Sequence, residues 1–157
     1  MTRTLNFAVN TATASAIAGH LRASDSSFIP PLSERVEIDC YAHKIAVSAE
    51  RLEAWSDGIL AGLIAAYCNA PLRDAAYITN VSVIPEFCRQ GIAQRLLGMC
   101  LERCNDLGFA RVLLDVDGRN AGALTLYEKH GFVRVPAQTA EQACGPSVTM
   151  QLILRQA

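Results

Sequence analysis

Apolar positions along the chain recur with two periods that take turns. Leu5, Phe7 and Val9 are spaced by two, as on one face of a strand, and Ala12 to Ala23 can form a helix. From Leu32 to Glu50 the spacing is helical, with Tyr41, Ile45 and Ala49 four apart and Val36 and Cys40 on a related stripe. Arg51 to Trp55 and Ile59 to Asn69 flank Ser56-Asp57-Gly58, whose Asp-Gly pair suits positive φ in a tight hairpin turn. The run Ala76 to Ile84 is rich in β-branched residues and stops at Pro85, which predicts a central strand. From Gln90 to Leu107 the positions Ala93, Leu96, Leu97, Cys100, Cys104 and Leu107 recur at three or four, and Gly108 ends the helix they predict. A strand over Ala110 to Val116, a turn through Asp117-Gly118-Arg119 and a short helix from Asn120 to His130 follow. Asn120 suits the N-cap of that helix, and Gly131-Phe132 its C-terminal stop. Strands near Phe132 to Val135 and Ser147 to Leu154 complete the chain. The order predicts an α/β (α+β) fold, mixed but mainly antiparallel, with a strand-helix-strand crossover at its centre.

Composition narrows this without redirecting it. At 157 residues, with no repeat and no linker, residues 1–157 read as one domain. The chain is 51% hydrophobic and 18% charged, an ordinary globular balance, and its net charge of -1 excludes wholesale attraction to nucleic acid or an anionic membrane. No apolar run reaches membrane-spanning length, so no membrane partner is expected. The six cysteines form no CxxC pair and no metal-ligand spacing with His20, His43 or His130. They predict no metal, a reducing cytoplasmic setting and mostly buried thiols. Met1 to Ser24 has Arg3, Arg22 and no acid, a faint likeness to a transit peptide, but its alternation and helical stretch read better as the start of the fold.

The chemistry centres on the crossover. A strand ending in Val83-Ile84-Pro85 leads through Cys88-Arg89-Gln90-Gly91-Ile92-Ala93 into the long helix. The first amides of a helix have no intrahelical partners and carry partial positive charge, so such a start can bind phosphate. Gly91 allows close approach of the main chain, Ala93 leaves it unobstructed, and Arg89 can add a charged contact. The turn lacks the Gly-Lys-Ser/Thr of a P-loop and the Gly-x-Gly-x-x-Gly of a dinucleotide site.

Val83 to Ala93 resembles motif A of the GNAT superfamily of acetyl-CoA-dependent N-acetyltransferases: a strand ending Val-x-Pro, then Arg or Gln, two residues, Gly, one residue, and Gly or Ala. Cys88 departs from it by standing where the family has Arg or Gln. Asn120 to Phe132, with its spaced alanines, Leu126-Tyr127 and terminal Gly131-Phe132, resembles the family's later motif. The resemblance covers about Ile59 to Phe132, and these two blocks occur in the family's order with the expected helix and strand between them.

The resemblance implies a central mixed, mostly antiparallel sheet of about six to seven strands flanked by helices, with two central strands splayed apart. It implies acetyl-CoA as cosubstrate, with pantetheine beside the main chain of Val81 and Val83. The pyrophosphate would lie on Arg89, Gln90, Gly91, Ile92 and Ala93, with Asn120 as a further contact or a helix cap. Tyr127 matches the family's general acid, since a phenol of ordinary pKa ~10 stays protonated at neutral pH. The glutamate that some members place on the central strand falls on Tyr77 here. Glu34, Glu37, Asp39, Glu50 and His43 lie upstream as alternative bases acting through water, and none is assigned. The expected reaction is direct attack by a primary amine in a ternary complex. The expected acceptor is a small molecule such as an amino sugar, with a protein N-terminus and a CoA-binding regulatory module as the other readings. A homodimer is left open.

Overall fold

The computed structural model describes residues 4–136 and 145–154. Asp57 and Gly58 adopt φ of 49° and 78°, the left-handed pair that a two-residue hairpin demands, and they join β2 (Glu50–Ser56) to β3 (Ile59–Tyr67). Before that hairpin come β1 (Asn6–Val9), α1 (Ala14–Ser24) and α2 (Ile38–Ser48). After it come β4 (Ala75–Val83), α3 (Ile92–Asp106), β5 (Arg111–Asp117), α4 (Ala121–Lys129), β6 (Val133–Arg134) and β7 (Ser147–Ile153). The strands form one seven-stranded sheet in the order β1-β2-β3-β4-β5-β7-β6, and only the β4–β5 pair is parallel. The strand-helix-strand crossover expected from the sequence is β4–α3–β5. The helix expected across Leu32 to Glu50 is shorter than its spacing suggested. Leu32–Glu34 makes a 3-10 turn, the Glu37 carboxylate then caps the amide of Cys40 at 2.6 Å, and α2 stops before Glu50, which opens β2.

One face of the sheet packs on α3, where Ile64, Val112 and Leu114 meet Leu96, Leu97 and Cys100. The other face packs on α1 and α2, where Leu63 and Ala65 meet Ile17, Leu21 and Ile45. Gly62 sets how closely α3 lies. A Cβ there would stand 2.6 Å from Ile92 Cγ2, so a side chain would push the start of α3 off the sheet. Cys100 and Cys104 are buried, Cys68 is half-buried, and Cys40 and Cys88 are exposed, so the expectation of mostly buried thiols holds only within α3; Cys144 lies outside the described residues.

Two irregularities of β4 create the site. Opposite β3 its register slips, Ile78 pairing with Ala66 and Asn80 with Ala65, so Thr79 is an extra residue and the strand changes phase there. Ile78 faces the α3 side before the bulge, and Val81 and Val83 pack toward that side after it. Asn80 and Ser82 thereby turn toward α1. Opposite β5, pairing runs only from Ala75–Arg111 to Ile78–Leu114, after which the strands part. A further buried device ties the β1–α1 connection to β2. The fully buried Glu53 carboxylate accepts the amides of Thr11 and Ala12, each at 2.9 Å, Trp55 Nε1 at 3.0 Å, and the Thr11 hydroxyl.

Candidate active site

The parting of β4 and β5 opens a cleft of about 630 Å³ through the sheet. Beyond Ile78 one edge of β4 still has β3 as neighbour, while the other has lost β5. Alternate peptide groups on that bare edge face the cleft, which Val81 and Val83 line. At one end the turn brings Arg89 and Gly91 into left-handed φ of 65° and 77° and then starts α3 with no side-chain cap and no acid in its first turn. The amides of Ile92, Ala93 and Gln94 therefore stand free of helical partners at a positive dipole end. Nothing lies within 4 Å of where a Cβ on Gly91 would be, so the turn faces open space.

Of the residues expected at the cofactor, Arg89, Gly91, Ile92, Ala93 and Asn120 line the cleft, and Gln90 is an exposed turn residue outside its lining. Asn120 caps α4, its Oδ1 accepting the Ala123 amide at 3.1 Å. The Cys88 thiol, exposed on the turn, lies 3.8 and 3.7 Å from the carbonyls of Val83 and Ile84.

Tyr127 enters the cleft from α4. Its ring packs against Phe132 at a centroid distance of 5.8 Å, and its hydroxyl makes no hydrogen bond among the described residues. Burial pushes the phenol up to about 12, so it carries its proton throughout the neutral range.

The upstream acids expected as candidate bases are elsewhere. Glu37 caps α2, Asp39 pairs with Arg22 at 2.9 Å, and Glu50 binds Arg103 at 2.7 Å; Glu34 and His43 are exposed and outside the cleft lining. The acids in the cleft come from β5. Asp117 is clamped by Arg119 through contacts of 2.9 and 2.6 Å, which hold its carboxyl down at about 2 and leave it a poor proton acceptor. Asp115 is exposed to the cleft and accepts from Tyr77 Oη at 2.8 Å and from the Thr149 hydroxyl. Burial, and then the bond to Asp115, raise the Tyr77 phenol far above its ordinary value, so this position on the central strand holds a neutral donor. In the sequence Asp115 stands out only as a polar residue that follows the apolar run Val112-Leu113-Leu114. Asn80 and Ser82 interrupt the β4 run in the same way and line the opposite wall.

Phe28, Ile29 and Arg35 from the α1–α2 connection also line the cleft. Among the described residues no three His, Cys, Asp or Glu side chains are grouped to hold a metal ion, and no helix is long and apolar enough to cross a membrane.

A mixed sheet split between β4 and β5, with an uncapped helix start at one end of the split, defines a CoA-type acyltransferase architecture. The model of the Acetyltransferase (GNAT) family matches residues 17–132, and the chain belongs to that family. Among curated proteins it is similar to the [ribosomal protein bS18]-alanine N-acetyltransferase of Escherichia coli K12, 37% identical over 59 residues. That match covers 38% of this chain and 40% of the relative, well short of two thirds of its length. Among solved structures, the ribosomal-protein-S18-alanine N-acetyltransferase from Escherichia coli superposes with a TM-score of 0.76 at 21% identity, over 98% of this chain and 96% of that one. A GNAT family acetyltransferase from Elizabethkingia anophelis with acetyl-CoA bound gives 0.70 at 17% identity, over 96% and 98% of the two chains. At these identities the superpositions show a shared fold.

Proposed function

We propose that this protein transfers the acetyl group of acetyl-CoA to the free α-amine of a peptide or protein N-terminus. The observation that carries the donor half is the split sheet. Its bare β4 edge offers peptide groups to pantetheine, and the free amides of α3 beside Gly91 and Arg89 offer a cradle for pyrophosphate. The CoA-bound neighbour of the same fold supports this choice. Bound there, acetyl-CoA supplies an activated thioester. Tyr127, protonated and without a hydrogen-bond partner among the described residues, donates its proton to the departing sulfur. Asp115 takes the proton that the amine loses, directly or through one water.

The acceptor half rests on proton chemistry. An amine must be neutral to attack, and an α-amine of pKa about 7.7–8.0 is partly neutral at physiological pH, whereas a lysine at about 10.4 is almost wholly charged. A site with Tyr77 in place of a central glutamate, and with both oxygens of Asp115 already accepting hydrogen bonds, suits the acceptor that needs less help. The names of the E. coli relative and of the E. coli neighbour, both ribosomal-protein alanine N-acetyltransferases, support a protein acceptor.

The test measures thiol release from acetyl-CoA with free-N-terminal peptides, Nα-blocked lysine peptides, amino sugars and polyamines. Turnover restricted to free N-termini is expected. Turnover confined to amino sugars would sink the acceptor assignment in favour of a small-molecule enzyme. Thermal stabilisation by CoA with no amine-dependent release would sink catalysis and leave a binding module.

A further inference from the structure

The charges in the cleft lining do not cancel where they stand. Among the described residues they are Arg89 at the α3 turn, Asp115 and Asp117 on β5, and Arg35 on the α1–α2 connection. Asp117 is neutralised, because Arg119 occupies both of its oxygens. The partners of Asp115 are the hydroxyls of Tyr77 and Thr149, which carry no charge, so its negative charge is left unbalanced. Arg35 is the counterpart. It is exposed and makes no hydrogen bond or ion pair among the described residues, although it lies within electrostatic reach of Asp117 and of the Tyr77 and Tyr41 phenols. Tyr77 is therefore a common neighbour of the free cation and the free anion.

The backbone that carries Arg35 is fixed. The Asp25 carboxylate accepts the amide and the hydroxyl of Ser33, each at 2.7 Å, which ties this connection to the end of α1. The Arg35 amide donates to Leu32 O at 2.9 Å, and Leu32, Val36 and Ile38 pack into the core against α1 and α2. Only side-chain rotamers remain to be ordered when a ligand arrives. A lone arginine on a solvated surface needs no partner. This one stands in a cleft lining, beside the apolar Phe28 and Ile29, across from an uncompensated acid.

We propose that Arg35 selects acceptors that carry a carboxylate close to the reacting amine, as an N-terminus with aspartate or glutamate as its first or second residue does. The inference rests on the amine-acetylating reading above. The arriving ammonium is drawn to Asp115, and the carboxylate meets the guanidinium, whose planar fork can bond both of its oxygens. A lysine beside the N-terminus, or the second charge of a polyamine, would instead meet Arg35 with like charge. The α-carboxylate of a free amino acid offers the same chemistry as an acidic side chain, and the assay separates the two.

The experiment compares peptides of one sequence that differ only in Glu, Gln or Lys at the first or second position, together with free glutamate and glutamine. With the natural protein, kcat/KM for the better-placed Glu peptide should exceed that of its Gln counterpart about tenfold, and the gap should narrow in high salt. In Arg35→Met the ratio should fall to about one, with acetyl-CoA KM within about twofold. Arg35→Lys should retain part of the preference, and Arg35→Glu should favour the Lys peptide. Equal turnover of Glu and Gln peptides by the natural protein, or a preference that survives Arg35→Met, overturns the assignment. Turnover of free glutamate alone, lost in Arg35→Met, would keep the carboxylate site and sink the N-terminal reading. Calorimetric titration with the acetylated Glu and Gln peptides reads the contact without turnover. The Glu product should bind about tenfold tighter to the natural protein and equally to Arg35→Met, whereas equal binding or none in the natural protein overturns the contact.

Discussion

The two ends of the cleft are built in different ways. The α3 end is made of backbone: a left-handed turn at Arg89 and Gly91, an uncapped helix start, and a strand edge stripped of its neighbour. The α1–α2 side and the β5 wall are made of side chains gathered from distant parts of the chain, with Asn80 and Ser82 of β4, backed by the buried His20 of α1, and Asp115 of β5 around a volume that no single segment defines. A backbone site depends on a few φ angles and tolerates varied side chains. A side-chain network depends on each member and on its protonation state. Substitutions at the two ends should therefore fail in different ways.

The largest effect is expected where the ends meet, at Tyr127. Removing its proton donor in Tyr127→Phe should lower kcat by about 10²–10⁴ with acetyl-CoA binding nearly unchanged. Because burial holds the phenol at about 12, no kinetic ionisation of this group should show below about pH 10. A Tyr127→Phe protein with full turnover would remove it from the chemistry.

The side-chain end should be the acid-sensitive one. His20 titrates at about 4 in the folded protein against about 6.5 when unfolded, so between these values the unfolded chain binds the extra proton. Stability from this ring is complete above pH 6.5 and is lost as pH falls toward 4, a change of about 3 kcal/mol. Urea unfolding at pH 6.5, 5 and 4 reads it directly. His20→Gln should flatten the slope across that window, and an equal slope in both proteins would show that another group carries it.

This contrast also explains what could be read in advance. The hairpin at Asp57-Gly58, the β4–α3–β5 crossover, the Asn120 cap and the turn at Gly91 follow from residues within a few positions of each other, so local chemistry predicts them. The role of Glu53 does not, because its partners Thr11 and Ala12 lie more than forty residues away along the chain. Nor does the Thr79 bulge, which depends on register against Ala65 and Ala66 and decides which face Asn80 and Ser82 occupy. Gln90 sits within the motif and is exposed on the turn outside the cleft lining, a placement that motif spacing does not specify. The upstream acids weighed as bases are placed outside the cleft for a related reason. Glu37, Asp39 and Glu50 are used locally, as a cap and in ion pairs, and polar residues inside apolar strands were the better signal.

At the backbone end, Gly91→Glu should weaken CoA binding by about 30-fold or more. It puts a side chain at φ 77° and a carboxylate in the open space assigned to phosphate. Calorimetric titration with CoA measures it. Unaltered affinity would move the pyrophosphate elsewhere, and a matching rise in acceptor KM alone would mean that the two ends have been assigned the wrong way round.

The smallest effect should come from Cys88→Arg, and it sharpens the contrast most. Cys88 is exposed on the turn, so a longer side chain can be accommodated without disturbing the core. If backbone amides already supply most of the phosphate contact, an added guanidinium gains only a screened surface interaction, about threefold in CoA affinity at low salt and close to nothing at high salt. A gain of a hundredfold, or one that persists in high salt, would mean that the natural cysteine leaves a desolvated charge contact missing, and that this end relies on side chains as heavily as the other.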